Sequence, residues 1–224
     1  MCAARSVPIK NKEVLNLKIV TLVVGPIMEN CYIIYDEKSL EGIIVDPGDE
    51  ADRILTAVKN LNLTIKYIVN THAHADHIGA NKEIGEKLKA KLAVHADDAA
   101  MLTDPQLNLS VAGYMGRLII SQPADILLHE GDTIVFGNCE FKVVHTPGHT
   151  PGGICLVGEN VVISGDSLFA GSIGRTDFPT SSMTDLISSL KEKIMTLDPN
   201  MQVFPGHGGT TNIGWEKQNN PYLA

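Results

Sequence analysis

Short apolar runs rich in isoleucine and valine recur along the first fifth of the chain. They read LKIVTLVV (17–24), NCYIIYD (30–36) and EGIIVDPG (41–48), divided by Gly, Pro, Asn and Asp. Such punctuation around β-branched residues predicts strands. In DEADRILTAVKNL (49–61) the spacing changes: Ile54, Leu55, Val58 and Leu61 recur near every 3.6 residues, which predicts a helix. TIKYIVN (64–70) reads as a short buried strand, HIGANKEIGEKLKA (77–90) as a second helix, and KLAVHA (91–96) as a strand.

The segment 103–124 resists this reading. Leu107, Val111, Tyr114, Met115 and Leu118 fit helical spacing, but Gly113 and Gly116 each cost about 1 kcal/mol against alanine inside a helix. A loosely helical insertion is expected there, a candidate pocket wall, lid or dimer contact. Strands resume in DILLHEGDTIVFG, CEFKVVHT and GGICLVGENVVISGD. A third helix is predicted over MTDLISSLKEKIMTL, capped by Ser181 or Ser182 with Asp185 near its start. MQVFPGHG is a last strand, and NIGWEKQN a short closing helix. Strands with helices, followed by strands with helices again, predict an α/β chain: a four-layer αββα sandwich of two mixed sheets flanked by helices. One domain over 17–224 is expected, behind an N-terminal extension of residues 1–16.

Composition narrows the partners. With 18 basic against 26 acidic residues the formal charge is −8, and no Lys/Arg cluster is present. Nucleic-acid binders concentrate positive charge, so no nucleic acid is expected. The apolar runs fall far short of a membrane span, so no membrane partner is expected either. MCAARSVPIKNK lacks the apolar stretch of a secretion signal. Cys2, Cys31, Cys139 and Cys155 show no C-x-x-C spacing and read as reduced thiols, pointing to the cytoplasm.

The candidate chemistry lies in NTHAHADHIG (70–79), which holds His72, His74, Asp76 and His77 between a strand and a helix. Three further donors sit at strand ends among glycines: His149 in HTPGHTPGG, Asp166 in VVISGDSLF and His207 in FPGHGG. Taken alone, Asp76 fits a helix cap, and His149 or His207 an ordinary loop histidine. Together, five imidazoles and two carboxylates exceed one tetrahedral ion and suit two ions with open positions. His95, His129 and His145 lack a motif and read as surface or hydrogen-bonded histidines.

THAHADH, the later His149, the GD aspartate and the PGH histidine resemble the metallo-β-lactamase superfamily, in the same order along the chain. The resemblance implies that His72, His74 and His149 hold a first metal, Asp76, His77 and His207 a second, and that Asp166 bridges them. Asp76 would also orient the bridging water. Asp46 in VDPGD resembles the family's aspartate that steadies the histidine loop, though it also suits a turn before Pro47 and Gly48. Two divalent ions are implied, zinc first, with iron or manganese as alternatives.

GDSLFAGSIGRTDFP and the ending GHGGTTNIGWEKQNNPYL resemble the compact glyoxalase II-like branch. That implies a metallohydrolase cleaving an acyl-thioester, S-lactoylglutathione or a similar small molecule, by a metal-bridging hydroxide. A thiolate leaves without a strong acid, and the sequence advertises none. Asp166 stands where the family's β-lactamases carry Cys or Ser, which disfavours antibiotic hydrolysis. Only 17 residues follow His207 in this sequence, so no counterpart of the glutathione-binding helical domain of glyoxalase II proper is expected. Arg175 is the candidate substrate contact, gripping a carboxylate through its fork, with a loop-pinning pair to Asp177 as the alternative. Two rivals stand beside the hydrolase. A persulfide dioxygenase would bind one iron through His72, His149 and Asp166, and a metal protein without catalysis would use the fold for binding.

Overall fold

The computed structural model describes residues 16–223, so apart from Asn16 the expected extension 1–16 lies outside the described residues. The first sheet holds β1 (Leu17–Val24), β2 (Glu29–Asp36), β3 (Glu41–Val45), β4 (Thr64–Val69), β5 (Lys91–His95) and β6 (Ile126–Leu128), in that spatial order. β1 to β3 pair antiparallel and β3 to β6 parallel, so the sheet is mixed. The second contains β7 (Thr133–Phe136), β8 (Cys139–His145), β9 (Ile154–Val157) and β10 (Val161–Gly165). A small hairpin, β11 (Leu168–Phe169) with β12 (Ser172–Ile173), stands apart from it. β13 (Gln202–Pro205) and β14 (Thr211–Asn212) complete the second sheet in the order β14-β13-β10-β9-β8-β7.

Strand alternation builds the layers. Ile33 pairs with Ile44 and Ile34 with Ile43, and neighbours along a strand point to opposite faces. Ile34, Ile43 and Val69 therefore meet Phe141, Ile154 and Ile163 of the second sheet in a core between the sheets. Ile33, Ile44 and Ile68 face outward and are covered by α1 (Ala51–Asn60), α2 (Ala75–Ile78) and α3 (Asn81–Leu88) through Ile54, Ile78 and Ile84. On the far side, α4 (Met183–Ser189) and α5 (Ile213–Asn219) cover Cys155, Val162 and Val203 with Leu186 and Ile213. Three apolar layers between four layers of elements are the αββα sandwich.

Some expectations need correction. The helix predicted over 77–90 is two, α2 and α3, parted at Gly79 and Ala80 because the 46–48 loop wedges into the break. Ala80 N–H donates to Pro47 O at 2.9 Å, and a Cβ on Gly79 would lie 2.2 Å from Gly48 O. Segment 103–124 forms only one 3₁₀ turn, Ser110–Ala112, among other turns; Gly113 and Gly116, at φ 83° and 67°, end any helix there. The predicted 183–197 helix is α4 followed by a wider π turn, Leu190–Ile194. Its cap is Ser182, accepting from Asp185 N–H at 3.3 Å. The β11–β12 hairpin and β14 are too short to leave a hydrophobic pattern. Cys31, Cys139 and Cys155 are buried free thiols, while Cys2 lies outside the described residues. Among the described residues no helix is long and apolar enough to cross a membrane.

Candidate metal centre

β8, β10 and β13 run in one direction, so their C-terminal ends meet at one edge of the second sheet. There they release His149, Asp166 and His207. From the first sheet, the loop after β4 delivers His72 and His74, and α2 adds Asp76 and His77. Ala73 is fully buried between the first two histidines, so both imidazoles turn to the same side. The approach of β13 requires glycine: a Cβ on Gly206 would lie 2.2 Å from Asp166 Oδ1 and 2.8 Å from His77 Cε1.

All seven expected ligands converge. His72, His74 and His149 form one trio, and Asp76, His77 and His207 another, with the potential ligand atoms of each within 4.8 Å of one another. His74 Nδ1 and His149 Nε2 are 3.0 Å apart, and His207 Nε2 is 3.1 Å from Asp76 Oδ2. Asp166 stands between the trios: Oδ1 is 3.5 Å from His77 Nε2, and Oδ2 is 3.6 Å from His149 Nε2 and 3.7 Å from His207 Nε2.

This donor set fits divalent cations. His72 Nε2, His77 Nε2 and Asp166 Oδ1 are buried without a hydrogen-bond partner, a costly arrangement that a cation relieves. Burial first, then the neighbouring imidazoles, holds His72 and His74 well below the usual histidine range, which keeps them neutral with a lone pair to offer. Burial would raise the Asp76 carboxyl, but His77 and His207 outweigh it and hold it well down. At His77 burial pulls downward, and Asp76, Asp166 and Asp46 prevail, raising it. His207 follows the same balance, raised against burial by Asp76 and Asp166.

Two buried aspartates hold the loops. Asp46 accepts from Thr71 N–H at 2.7 Å and from its hydroxyl at 2.6 Å, and its Oδ2 lies 3.1 Å from His77 Nδ1. It does so from a left-handed backbone, φ 50°, which aspartate tolerates better than most residues. Asp98 was not anticipated. It accepts from Ala73 N–H (3.1 Å), Thr150 Oγ1 (2.8 Å) and Gly152 N–H (2.6 Å), tying the first histidine loop to the one carrying His149. Burial pushes the Asp98 carboxyl upward despite those three donors. Thr71 Oγ1, already donating to Asp46, lies 3.3 Å from His72 Nδ1, and Arg175 O lies 2.8 Å from His149 Nδ1. Both acceptors favour the tautomer that leaves Nε2 free for a cation.

Glu29, fully buried behind His77 with neither oxygen hydrogen-bonded, was also missed. Burial holds its carboxyl well above the usual range. His95 and His145 lie in another cluster, rings stacked at 4.0 Å, where Asp97 N–H donates to His95 Nδ1 and His145 Nε2 donates to Pro151 O. His129 is 6.1 Å from the His95 ring.

The trios open into a cavity of about 630 Å³, a size that suits a small-molecule site. Arg175 lines it, with its guanidinium joined to Asp177 by two bonds of 2.9 and 2.8 Å. The family model of the metallo-β-lactamase superfamily matches residues 24–207. The chain belongs to that superfamily. Its members bind divalent metals and include metallohydrolases, and the two trios are candidate ligand sets for such ions. A Bacillus subtilis protein named probable metallo-hydrolase YqgX is 38% identical over 203 residues, 89% of this chain and 94% of that one. The Haemophilus influenzae hydroxyacylglutathione hydrolase GloC is 32% identical over 211 residues, 93% and 98% of the two chains. Among solved structures, BLEG-1, a B3 metallo-β-lactamase, matches with TM-score 0.87 and 38% identity over 92% of this chain and all of that one. TTHA1623 in a di-iron-bound form gives 0.80 and 35%, covering 91% and 100%. ETHE1 from Myxococcus xanthus gives 0.77 and 29%, covering 91% and 83%.

Proposed function

We propose that the chain is a metal-dependent hydrolase of acyl-thioesters. The observation that carries this reading is the pair of complete trios sharing Asp166 at the floor of one cavity. His72, His74 and His149 would hold one divalent ion, Asp76, His77 and His207 the other, and Asp166 both. When bound, the ions supply a nucleophilic water at neutral pH and polarise the acyl carbonyl. The chain's own residues do the rest. Asp76, on the cavity lining, would orient the water by accepting a hydrogen bond from it. Asp46 and Asp98 keep the ligand loops from moving. Water adds to the acyl carbon, the C–S bond breaks, and the thiol departs as a thiolate that takes up a proton. The likeness to the Haemophilus hydroxyacylglutathione hydrolase supports the thioester class.

A one-iron persulfide dioxygenase would use His72, His149 and Asp166 alone. The likeness to ETHE1 supports that reading, and the likeness to the Haemophilus hydrolase, at 32% identity over 93% of this chain, supports the hydrolase. Hydrolysis of a β-lactam is kept as a second reading by the 38% identity to BLEG-1, against the aspartate at position 166. One experiment separates the three. Protein loaded with zinc, iron or manganese is assayed with S-lactoylglutathione, with nitrocefin, and for oxygen uptake on glutathione persulfide. Two metals per chain with thioester cleavage as the dominant activity support the proposal. Oxygen uptake with one iron, or nitrocefin turnover exceeding thioester cleavage, would overturn it.

A further inference from the structure

The cavity above the trios has an unusual wall. Apart from the ligand residues it is lined by Ile27, Leu109, Ala112, Tyr114, Phe169 and Phe178. Among the described residues Arg175 is the only lysine or arginine lining it; the Nε–Nη2 edge of its guanidinium bonds Asp177, and its Cζ lies 4.5 Å over the Phe178 ring. Among the described residues, a thiol carrying free carboxylates, as glutathione does, meets on this lining one side-chain cation, whose charge Asp177 already balances. Phe178 packs edge-on to His74 at 5.2 Å and to His149 at 5.7 Å, so the apolar wall begins where the first trio ends.

Leu109 adds an independent observation. Its backbone is left-handed, φ 65° and ψ 10°, a conformation that favours glycine or asparagine and is an outlier for a bulky side chain. Both flanks are locked. Buried Asn108 donates through Nδ2 to Met101 O (3.1 Å) and Ile119 O (3.0 Å), and its Oδ1 accepts from Ser110 N–H (3.0 Å). Ser110 Oγ accepts from Ile119 N–H at 3.1 Å. Asn108 O accepts from Ala75 N–H at 2.9 Å, fixing this turn to the start of α2. The fold thus holds a leucine against its backbone preference and points it into the cavity beside the metal ligands.

We propose that the cavity selects thioesters with an uncharged, apolar acyl chain, and that Leu109 sets this preference. The inference rests on the thioester reading above. Biological acyl-carrying thiols are polar along their length, so the apolar part of such a substrate is its acyl group. The carbonyl lies at the trios, and the chain runs along Phe178 and Leu109.

The test is a series of S-acyl-N-acetylcysteamine thioesters from acetyl to octanoyl, run beside S-lactoylglutathione on metal-loaded protein. kcat/KM is expected to rise about tenfold or more from acetyl to hexanoyl, below the ceiling that full burial of four methylenes would set. Hexanoyl should also exceed lactoylglutathione. Leu109→Asn suits the left-handed backbone, so its Tm and metal content should hold while the chain-length slope flattens; Leu109→Met should retain the slope. A flat or falling series with measurable cleavage, or a Leu109→Asn protein that keeps the wild-type slope, would sink the acyl preference and leave the thioesterase intact. Absence of cleavage of every thioester would instead remove the thioesterase reading, and this inference with it.

Discussion

The two walls of the cavity are built on opposite principles. The metal wall is polar, buried and cross-tied. His72 and His74 ride a loop whose amides end on Asp46 and Asp98, and Gly206 brings β13 against Asp166 with no room for a side chain. The facing wall is largely apolar and carried by turns: Leu109 at the head of a 3₁₀ turn and Ala112 within it, Phe169 on a two-residue strand, Phe178 in a loop. Chemistry narrows residue types on the first wall, because few side chains, chiefly imidazoles, carboxylates and thiolates, hold hard and borderline cations. On the second, only size and polarity are constrained. Changes to the metal wall should therefore abolish turnover whatever the substrate, while changes to the apolar wall should alter which substrate is turned over.

The largest effect should come from His74→Ala. It removes one of three donors from the first trio and leaves His149 Nε2 without its 3.0 Å neighbour. Metal content should fall below two per chain by elemental analysis. kcat/KM should drop by about a thousandfold or more for every thioester alike, as several kcal/mol of transition-state stabilisation are lost. A variant that kept two metals and full turnover would place the catalytic ions elsewhere. Next in size is Asp98→Ala, which strands three buried donors: Ala73 N–H, Thr150 Oγ1 and Gly152 N–H. About 3 kcal/mol of stability should go, lowering Tm by about 6–12 °C in a domain of this size. Asp98→Asn, which keeps an acceptor oxygen, should recover a good part of it. An unchanged Tm in the alanine variant would mean that the two loops are held independently.

Asp46→Asn is a gentler break. Asparagine suits the left-handed backbone and keeps one oxygen to accept from Thr71 N–H, while an amide NH2 replaces the carboxylate oxygen that accepts from the Thr71 hydroxyl and lies 3.1 Å from His77 Nδ1. Metal affinity by competitive chelation should fall about 10- to 100-fold with the fold intact. An unaltered affinity would reduce Asp46 to a turn residue.

The same contrast explains what the sequence could and could not reveal. The strands announced themselves because both sheets bury one or two faces, giving runs such as NCYIIYD and VVISG. The ligands announced themselves because their chemistry allows few substitutes. Asp98 did not: in HADDAA nothing distinguishes it from exposed Asp97, and only the fold brings Thr150 and Gly152 to it. Glu29 was equally silent, an acidic residue at a strand start that becomes notable only through complete burial. Gly79 looked like an ordinary helix interior until the 46–48 loop was seen to occupy the space beside it. The apolar wall was the least legible. Leu109 fits helical spacing as well as it fits a pocket, and a left-handed leucine leaves no trace in composition.

The smallest expected effect belongs to Arg175→Ala, and it bears directly on which wall meets the substrate. The guanidinium is exposed, and Asp177 accepts from its Nε and Nη2. Exposed pairs of this kind add little to stability, so Tm should not move measurably. The contact that matters to the metal wall runs through the Arg175 backbone, whose carbonyl accepts from His149 Nδ1 at 2.8 Å and survives the substitution. Metal content and kcat should therefore stay at wild-type values. KM separates the two roles of this side chain. If Arg175 only pins its loop to Asp177, KM for S-lactoylglutathione and for hexanoyl-N-acetylcysteamine should shift together by a few-fold at most. If it leaves Asp177 to grip a substrate carboxylate, KM for the glutathione thioester should rise tenfold or more while the uncharged substrate is unaffected. The two-point pair with Asp177, and the stacking of the same guanidinium on Phe178, favour the first outcome.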